Sequence, residues 1–349
     1  MFRRLTIFIV MFFFILGALA QAADFQENLT KLVKKNGKSY VQPLLTGFGT
    51  AVNSGLYKKA SVKPGKLIPI GFDIGIVTST AIVPDEDKTY KYTLDMPISI
   101  QGQAIDLSYS EVYDASSETT PTIASNKEGT TLNRKDNQEI INAINAKLDG
   151  PDIGADDVNI SQLFPQTFHF PDGLNVAAVP MFALQANLRF PFIGLEVTGR
   201  GFPEYKIPDV GKLSFLGGGL RKSIPVPIID LTAGAFYQVI GVGDFFEVEN
   251  FNYHLEVGKD IGLPFLFNFS PYAGLALDQT KGTLEYILSG SDVPGFEQEQ
   301  KIKYDFKGKN QLRMTAGLTA QIIPLTYVNL EVAQGKYLAG TLSIGLIFK

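Results

Sequence analysis

The sequence predicts an all-β protein: a transmembrane antiparallel β-barrel of twelve strands with a short N-terminal helical plug. Three observations lead there. The chain opens on an export signal, no later apolar run reaches the length of a spanning helix, and long segments alternate apolar with polar residues.

The N-terminus comes first. Arg3 and Arg4 form a basic region, Ile7 to Ala20 is an almost unbroken apolar run, and Ala20-Gln21-Ala22 is a small-x-small cleavage site. Residues 1–22 therefore read as a secretory signal peptide. The run is shorter than the ~20 residues a spanning helix needs and has no basic flank after it.

Residues 23–62 precede the first strand as helix. Phe25, Leu29, Leu32 and Val33 fall at i, i+4, i+7 and i+8, a one-faced helix ending at Asn36-Gly37. Val41, Leu44, Leu45, Phe48 and Val52 continue at helical spacing. This segment is expected to lodge in the barrel as a plug or to lie at its periplasmic mouth.

Residues 63–349 are the expected barrel. From Gln311 to Ile322 the odd positions are polar or small, whereas Leu312, Met314, Ala316, Leu318, Ala320 and Ile322 form an apolar face. Val328, Leu330 and Val332 then oppose Asn329 and Glu331, and Leu338, Leu342, Ile344, Leu346 and Phe348 oppose Ala339, Thr341 and Ser343. The same period returns where Tyr253, Leu255 and Val257 face away from Asn252, His254 and Glu256, and where Phe182, Leu184 and Leu188 face away from Gln185, Asn187 and Arg189. Strands are placed near 66–80, 89–100, 103–113, 174–188, 194–200, 211–221, 229–241, 248–259, 264–288, 300–323, 325–334 and 337–348. Splitting 264–288 and 300–323 gives fourteen, the alternative count. Twelve puts a long loop, 114–173, outside the cell, with a helix from Asn137 to Leu148 inside it, and makes 278–308 a projecting hairpin.

Hydrocarbon leaves no partner for an unpaired backbone group, so membrane strands must close into a barrel. The apolar face then meets lipid and the polar face lines the lumen. Gln185, Arg189, Glu196, Arg200, Glu256, Arg313 and Glu331 are the candidate lumen-facing residues. With no Trp in the chain, interfacial girdles would fall to residues such as Tyr253, Tyr272, Tyr286, Tyr304, Tyr327 and Tyr337.

Reactive chemistry is sparse. The absence of Cys excludes disulfides, thiolate metal sites, iron–sulfur clusters and Cys nucleophiles, and two His leave little room for zinc. The near balance of 31 basic and 35 acidic residues carries no nucleic-acid footprint. Asn36-Gly37-Lys38-Ser39 has Leu32 where a phosphate loop needs Gly, and Thr341 stands where a nucleophile elbow before Ser343 needs Gly. The acidic groups at 85–87 and at Asp149, Asp152, Asp156 and Asp157 read as solvated loop surface. His254, between Asn252 and Glu256, reads as a wall residue of the lumen. No catalytic residue, cofactor or metal is expected, and the chain is not expected to be an enzyme.

Tyr40-Val41-Gln42-Pro43, then Asn53-Ser54-Gly55-Leu56-Tyr57 and Ala60, the Gly71 and Gly75 strand, and Val83-Pro84 resemble the opening of an uncharacterised family of predicted outer-membrane proteins. Arg200-Gly201-Phe202-Pro203, Gly217-Gly218-Gly219 and Leu231-Thr232-Ala233-Gly234 fit it as well. The resemblance implies an outer-membrane barrel and brings no activity and no catalytic residues. In architecture, a barrel with an N-terminal helical plug is also similar to the long-chain fatty-acid transporters of the outer membrane. The expected function is passive passage or uptake of small molecules, hydrophobic ones included, across the outer membrane of a Gram-negative-type bacterium. Outer-membrane lipid, the barrel-assembly machinery and a small-molecule solute are the expected partners. The alternatives are a structural or adhesive barrel with a filled lumen and a barrel hydrolase built on His254.

Overall fold

Successive side chains of an extended segment point to opposite faces, and ten segments of this chain use that to bury a polar face and expose an apolar one. They are β1 (Gly71–Ile82), β2 (Ala178–Phe190), β3 (Leu195–Ile207), β4 (Gly211–Pro225), β5 (Asp230–Val242), β6 (Phe246–Gly258), β7 (Phe267–Leu288), β8 (Leu312–Ile323), β9 (Thr326–Gln334) and β10 (Leu338–Phe348). These come from a computed structural model that describes residues 34–58, 70–100, 102–154, 157–207, 211–243, 246–263, 267–288, 300–309, 312–323 and 325–348. The expected signal peptide, the start of the expected plug up to residue 33 and residues 59–69 lie outside the described residues.

Each strand pairs antiparallel with its neighbours in sequence, and β10 returns to β1, so the ring is closed. The register runs from Gly71 through Arg189, Glu196, Arg221, Gly234, His254 and Ala276 to Arg313. From its neighbour Met314 it runs on through Gln334 and Leu338 to Ile82. One circuit therefore displaces the register by about twelve residues, which for ten strands sets a tilt of roughly 40° and a backbone radius of roughly 10 Å. That is room for a single helix about 10–12 Å across.

The expected twelve strands are thus ten in the ring, with two more, Ile261–Leu263 and Gln300–Lys307, attached to the two ends of β7. The segments 89–100 and 103–113 are not barrel. Asp95–Ile100 and Gln103–Ser108 pair only with each other, and at six residues each they fall short of the ~9–11 a tilted membrane strand needs. Their alternation serves a different core: Ile105 and Leu107 are buried, as are Ile140, Ile141 and Ile144 of the helix packed against that strand. Of the two splits behind the alternative of fourteen, that of 300–323 is seen, as Gln300–Lys307 and Leu312–Ile323, whereas β7 runs unbroken over 22 residues.

Outside the ring the surface is apolar. Leu216 is 76% exposed, Leu330 58% and Met314 57%, while Arg313 and Glu256 on the inner face are 0% exposed. The aromatic expectation is corrected by parity. Tyr253 points outward, whereas Tyr272, Tyr327 and Tyr337 are buried because each shares the odd or even phase of its strand's or turn's inner residues, and Tyr304 is buried as well.

Two compact units divide the chain. The ring belongs to the first, with Gln42–Pro84 and Val176–Lys349; the second holds Asp85–Asn175 and the described residues before Gln42. Helix α1 (Lys34–Asn53) contributes residues 34–41 to the second and 42–53 to the first. It runs through Asn36-Gly37, where an end was expected. Asn36 is buried and bonds both ways with the backbone of Thr93, its Nδ2 donating to the carbonyl at 2.7 Å and its Oδ1 accepting from the N–H at 3.0 Å. Asn36 is a tertiary contact and not a helix cap. The second unit adds a three-stranded sheet (Tyr113–Ala115, Thr131–Arg134, Thr167–His169) and helix α2 (Asn137–Asn145). No helix among the described residues is long and apolar enough to cross a membrane.

Candidate functional site

The lumen of the ring is occupied by the chain's own residues 42–58. The helix fits because its inner turns are small: a Cβ on Gly47 would lie 2.4 Å from Val179 Cγ2, and one on Gly49 2.2 Å from Thr280 Oγ1. At its C-terminus the carbonyls of Val52 and Ser54 accept from Arg200 NH1, both at 3.2 Å. A cation belongs there, because the last carbonyls of a helix are unpaired and carry its negative pole. Gly55 then turns the chain at φ +67°, a conformation that suits glycine.

Beyond the turn the plug tip is tied to the wall by polar groups. Gly55 N–H donates to Glu331 Oε1 at 2.8 Å, and Gln185 Nε2 donates to the Leu56 carbonyl at 3.3 Å. Tyr57 OH donates to Asn252 Oδ1 at 2.9 Å, its ring lies on His254 with centroids 4.0 Å apart, and its carbonyl accepts from Tyr272 OH at 3.3 Å. Lys58 Nζ meets Asp73 Oδ1 at 2.5 Å and sits 4.4 Å from the centre of the Tyr327 ring, while its carbonyl accepts from Thr319 Oγ1. Further contacts come from Ser79 to the Ala51 carbonyl at 2.6 Å, from Gln238 to Asn53 at 3.0 Å, and from the Arg221 guanidinium over the Tyr57 ring at 5.8 Å. With Thr341 of β10 against Gly55, the segment touches every one of the ten strands.

Around the tip runs a chain of buried ion pairs. Asp73 pairs with Lys58 and Arg189; Arg189 Nε reaches Glu196 Oε2 at 2.9 Å; Glu196 Oε1 meets Arg221 NH2 at 2.7 Å; and Arg221 NH1 meets Glu256 Oε2 at 3.0 Å. His254 Nε2 lies 3.3 Å from Glu256 Oε1, and its Nδ1 is 2.8 Å from Asn252 Oδ1. Asn252 Nδ2 donates to Asp278 Oδ1 at 2.6 Å, and Arg313 Nε to Asp278 Oδ2 at 2.7 Å. The chain follows the register, in which Arg189 stands opposite Glu196 and Glu196 opposite Arg221, and direct cross-strand pairs are the closest contacts in a sheet. On β5 the next register position is Gly234, opposite His254 on β6, and Arg221 reaches across β5 to Glu256. A Cβ on Gly234 would lie 2.4 Å from His254 Nε2. Burying charges is tolerable only when each is paired and hydrogen-bonded in this way.

The structure places all seven residues singled out in the sequence on this inner wall. Gln185, Arg200 and Glu331 bind the plug, and Arg189, Glu196, Glu256 and Arg313 belong to the ion chain. Sequence reasoning missed Asp73, Arg221, Asp278, Tyr57 and Lys58, and placed Asn252 on the lumen face without a role. Asp73 had a signal, a lone acid between Phe72 and Ile74 in phase with Gly75, Val77 and Ser79. His254 engages Asn252 through Nδ1, and its Nε2 lies 3.3 Å from Glu256 Oε1. Among the described residues no group of three or more His, Cys, Asp or Glu is placed to hold a metal ion.

A barrel with an inverted interior and an internal segment is the class this geometry defines. The chain belongs to a family of unknown function (DUF6588), whose sequence profile matches residues 1–348. Comparison with curated proteins returns no match. Among solved structures, it is similar to the outer membrane protease OmpT from Escherichia coli at 9% identity, covering 82% of this chain and 97% of that one with a TM-score of 0.31. Ail, the attachment invasion locus protein of Yersinia pestis, matches at 9% identity over 80% of this chain and 100% of its own, with a TM-score of 0.20. The N-terminal β-barrel domain of Pseudomonas aeruginosa OprF matches at 14% identity over 44% and 96%, with a TM-score of 0.21. None of the three is a long-chain fatty-acid transporter, and at TM-scores this low none bears on what this chain does.

Proposed function

We propose that the protein is an outer-membrane barrel that closes its own lumen with residues 42–58 and passes a small polar solute when that plug is displaced. Support for membrane insertion is the inverted surface. On β7 the outward residues from Phe267 to Leu277 are apolar, a stretch that at the ring's tilt spans roughly 25 Å, the height of the apolar band of such barrels. The wall above it turns polar at Gln279 and Lys281.

The observation that carries the passage reading is the chemistry of the plug's seat. Leu56 and Tyr57 pack with Phe236 and Tyr272, and the tip is further held by hydrogen bonds and one ion pair to side chains that water or a solute could satisfy equally well once the tip is out. The test is leakage from liposomes carrying the full-length protein and its Gly55→Leu variant. A side chain at 55 would collide with Val77 and Thr341, whose methyl groups stand 2.7 and 2.6 Å from a Cβ there. The wild type is expected to be nearly sealed and Gly55→Leu to leak; liposomes sealed in both cases to every small polar solute would overturn the reading.

A further inference from the structure

Lys58 is a buried cation that the plug brings to the wall, where it meets Asp73. Its seat is a built one. Asp73 is 0% exposed, and its carboxylate is held by Asn187 Nδ2 at 2.6 Å and by Arg189. The face of Tyr327, also 0% exposed, lies 4.4 Å from the ammonium.

We propose that Asp73 and the Tyr327 ring form an ammonium site which Lys58 fills in the plugged state and a primary alkylammonium solute fills when the plug withdraws. The inference rests on the plugged-lumen reading and names the solute class for it. A carboxylate next to an aromatic face is the pairing that recognises an organic cation out of water. The shape of the site discriminates further. Arg189 occupies Asp73 Oδ2, so Oδ1 alone faces the incoming cation. A guanidinium ion, which gains from two parallel bonds to both carboxylate oxygens, loses that advantage, while a compact ammonium needs one. Lys58 is then an intramolecular stand-in for the solute, and plug and solute compete for one carboxylate.

Chemical rescue tests this. In Lys58→Ala, assembled in detergent micelles, propylammonium chloride should restore what the missing side chain supplied. Its thermal midpoint should rise with amine concentration and saturate, by roughly 3 °C. Sodium chloride and propylguanidinium should not reproduce the shift, and the wild type and Lys58→Ala/Asp73→Asn should show none. If Lys58→Ala does not assemble, Lys58→Gln keeps the chain length and gives the same readout. No shift in either variant, or an equal shift with propylguanidinium, overturns the proposal. Because the readout is a midpoint and not a flux, it fails separately from the passage reading: sealed liposomes with a working rescue sink passage and keep the site, and leaky liposomes without rescue do the reverse.

Discussion

The barrel unit and the unit of residues 85–175 solve burial in opposite ways. The second hides Ile105, Leu107, Ile140, Ile141 and Ile144 and leaves Glu139 and Asp149 outside, as a protein in water does. The barrel hides Arg313, Glu256, Asp73 and Asn329 and leaves Leu216, Leu330 and Met314 outside. Both sets of segments alternate with the same period. What differs is which face has the chain's own atoms to pack against, and that is decided by strand length and partner, not by the alternation.

Removing a wall charge should break the contrast most. Arg221→Ala leaves Glu256 without its guanidinium partner and Glu196 with Arg189 alone, and should cost the barrel about 4 kcal/mol. Urea unfolding in micelles reads this, with Arg221→Ala/Glu256→Ala expected to recover part of the loss. Hydrogen exchange in 85–175 should stay at its wild-type level; if it rises with the barrel's, the two units are not separately stabilised.

Ile140→Ala makes the converse cut, a cavity in an apolar core worth about 3 kcal/mol. Exchange protection should fall across α2 and the strand Gln103–Ser108 while the barrel's urea midpoint holds. The smallest effect is at the surface. Hydrogen bonds from Lys147, at 2.7 Å, and from the Ser108 backbone hold the Glu111 carboxyl below the usual carboxylate range. A carboxyl with a depressed folded value stabilises above its unfolded value near 4.3 and loses that contribution as pH falls through the folded one. Glu111 is part-exposed, so Lys147→Ala should cost about 0.5 kcal/mol at pH 7. The difference between the two proteins should shrink as pH falls below the unfolded value and through the depressed folded one.

Much of the barrel was legible in the sequence because a strand with one apolar and one polar face writes both into alternate residues. The last three strands, with Leu330, Leu342 and Ile344 outward and Asn329, Glu331 and Ser343 inward, could be read directly. The strand number could not, since 95–108 carries the same signal for another core. The site was half legible. Which polar residues face inward follows from parity, so Glu196 and Arg200 were found, but who pairs with whom depends on register between strands. That Arg221 reaches Glu256 depends on how β4, β5 and β6 are offset, and that Asp73 holds Lys58 depends on where the plug stops.

The seam of the ring has a bearing on how the molecule is made. β1 and β10 pair Phe72 with Phe348 and Ile82 with Leu338, joining residues from nearly opposite ends of the chain. No other pairing in the ring closes so long a loop, and the entropy of that closure is the largest a single strand pair here must overcome. The tip has partners on both sides of the seam, Asp73 on β1 and Glu331 on β9. It lies only a short way ahead of β1 in sequence, so the pairing of β10 with β1 that closes the ring also completes the wall around the plug.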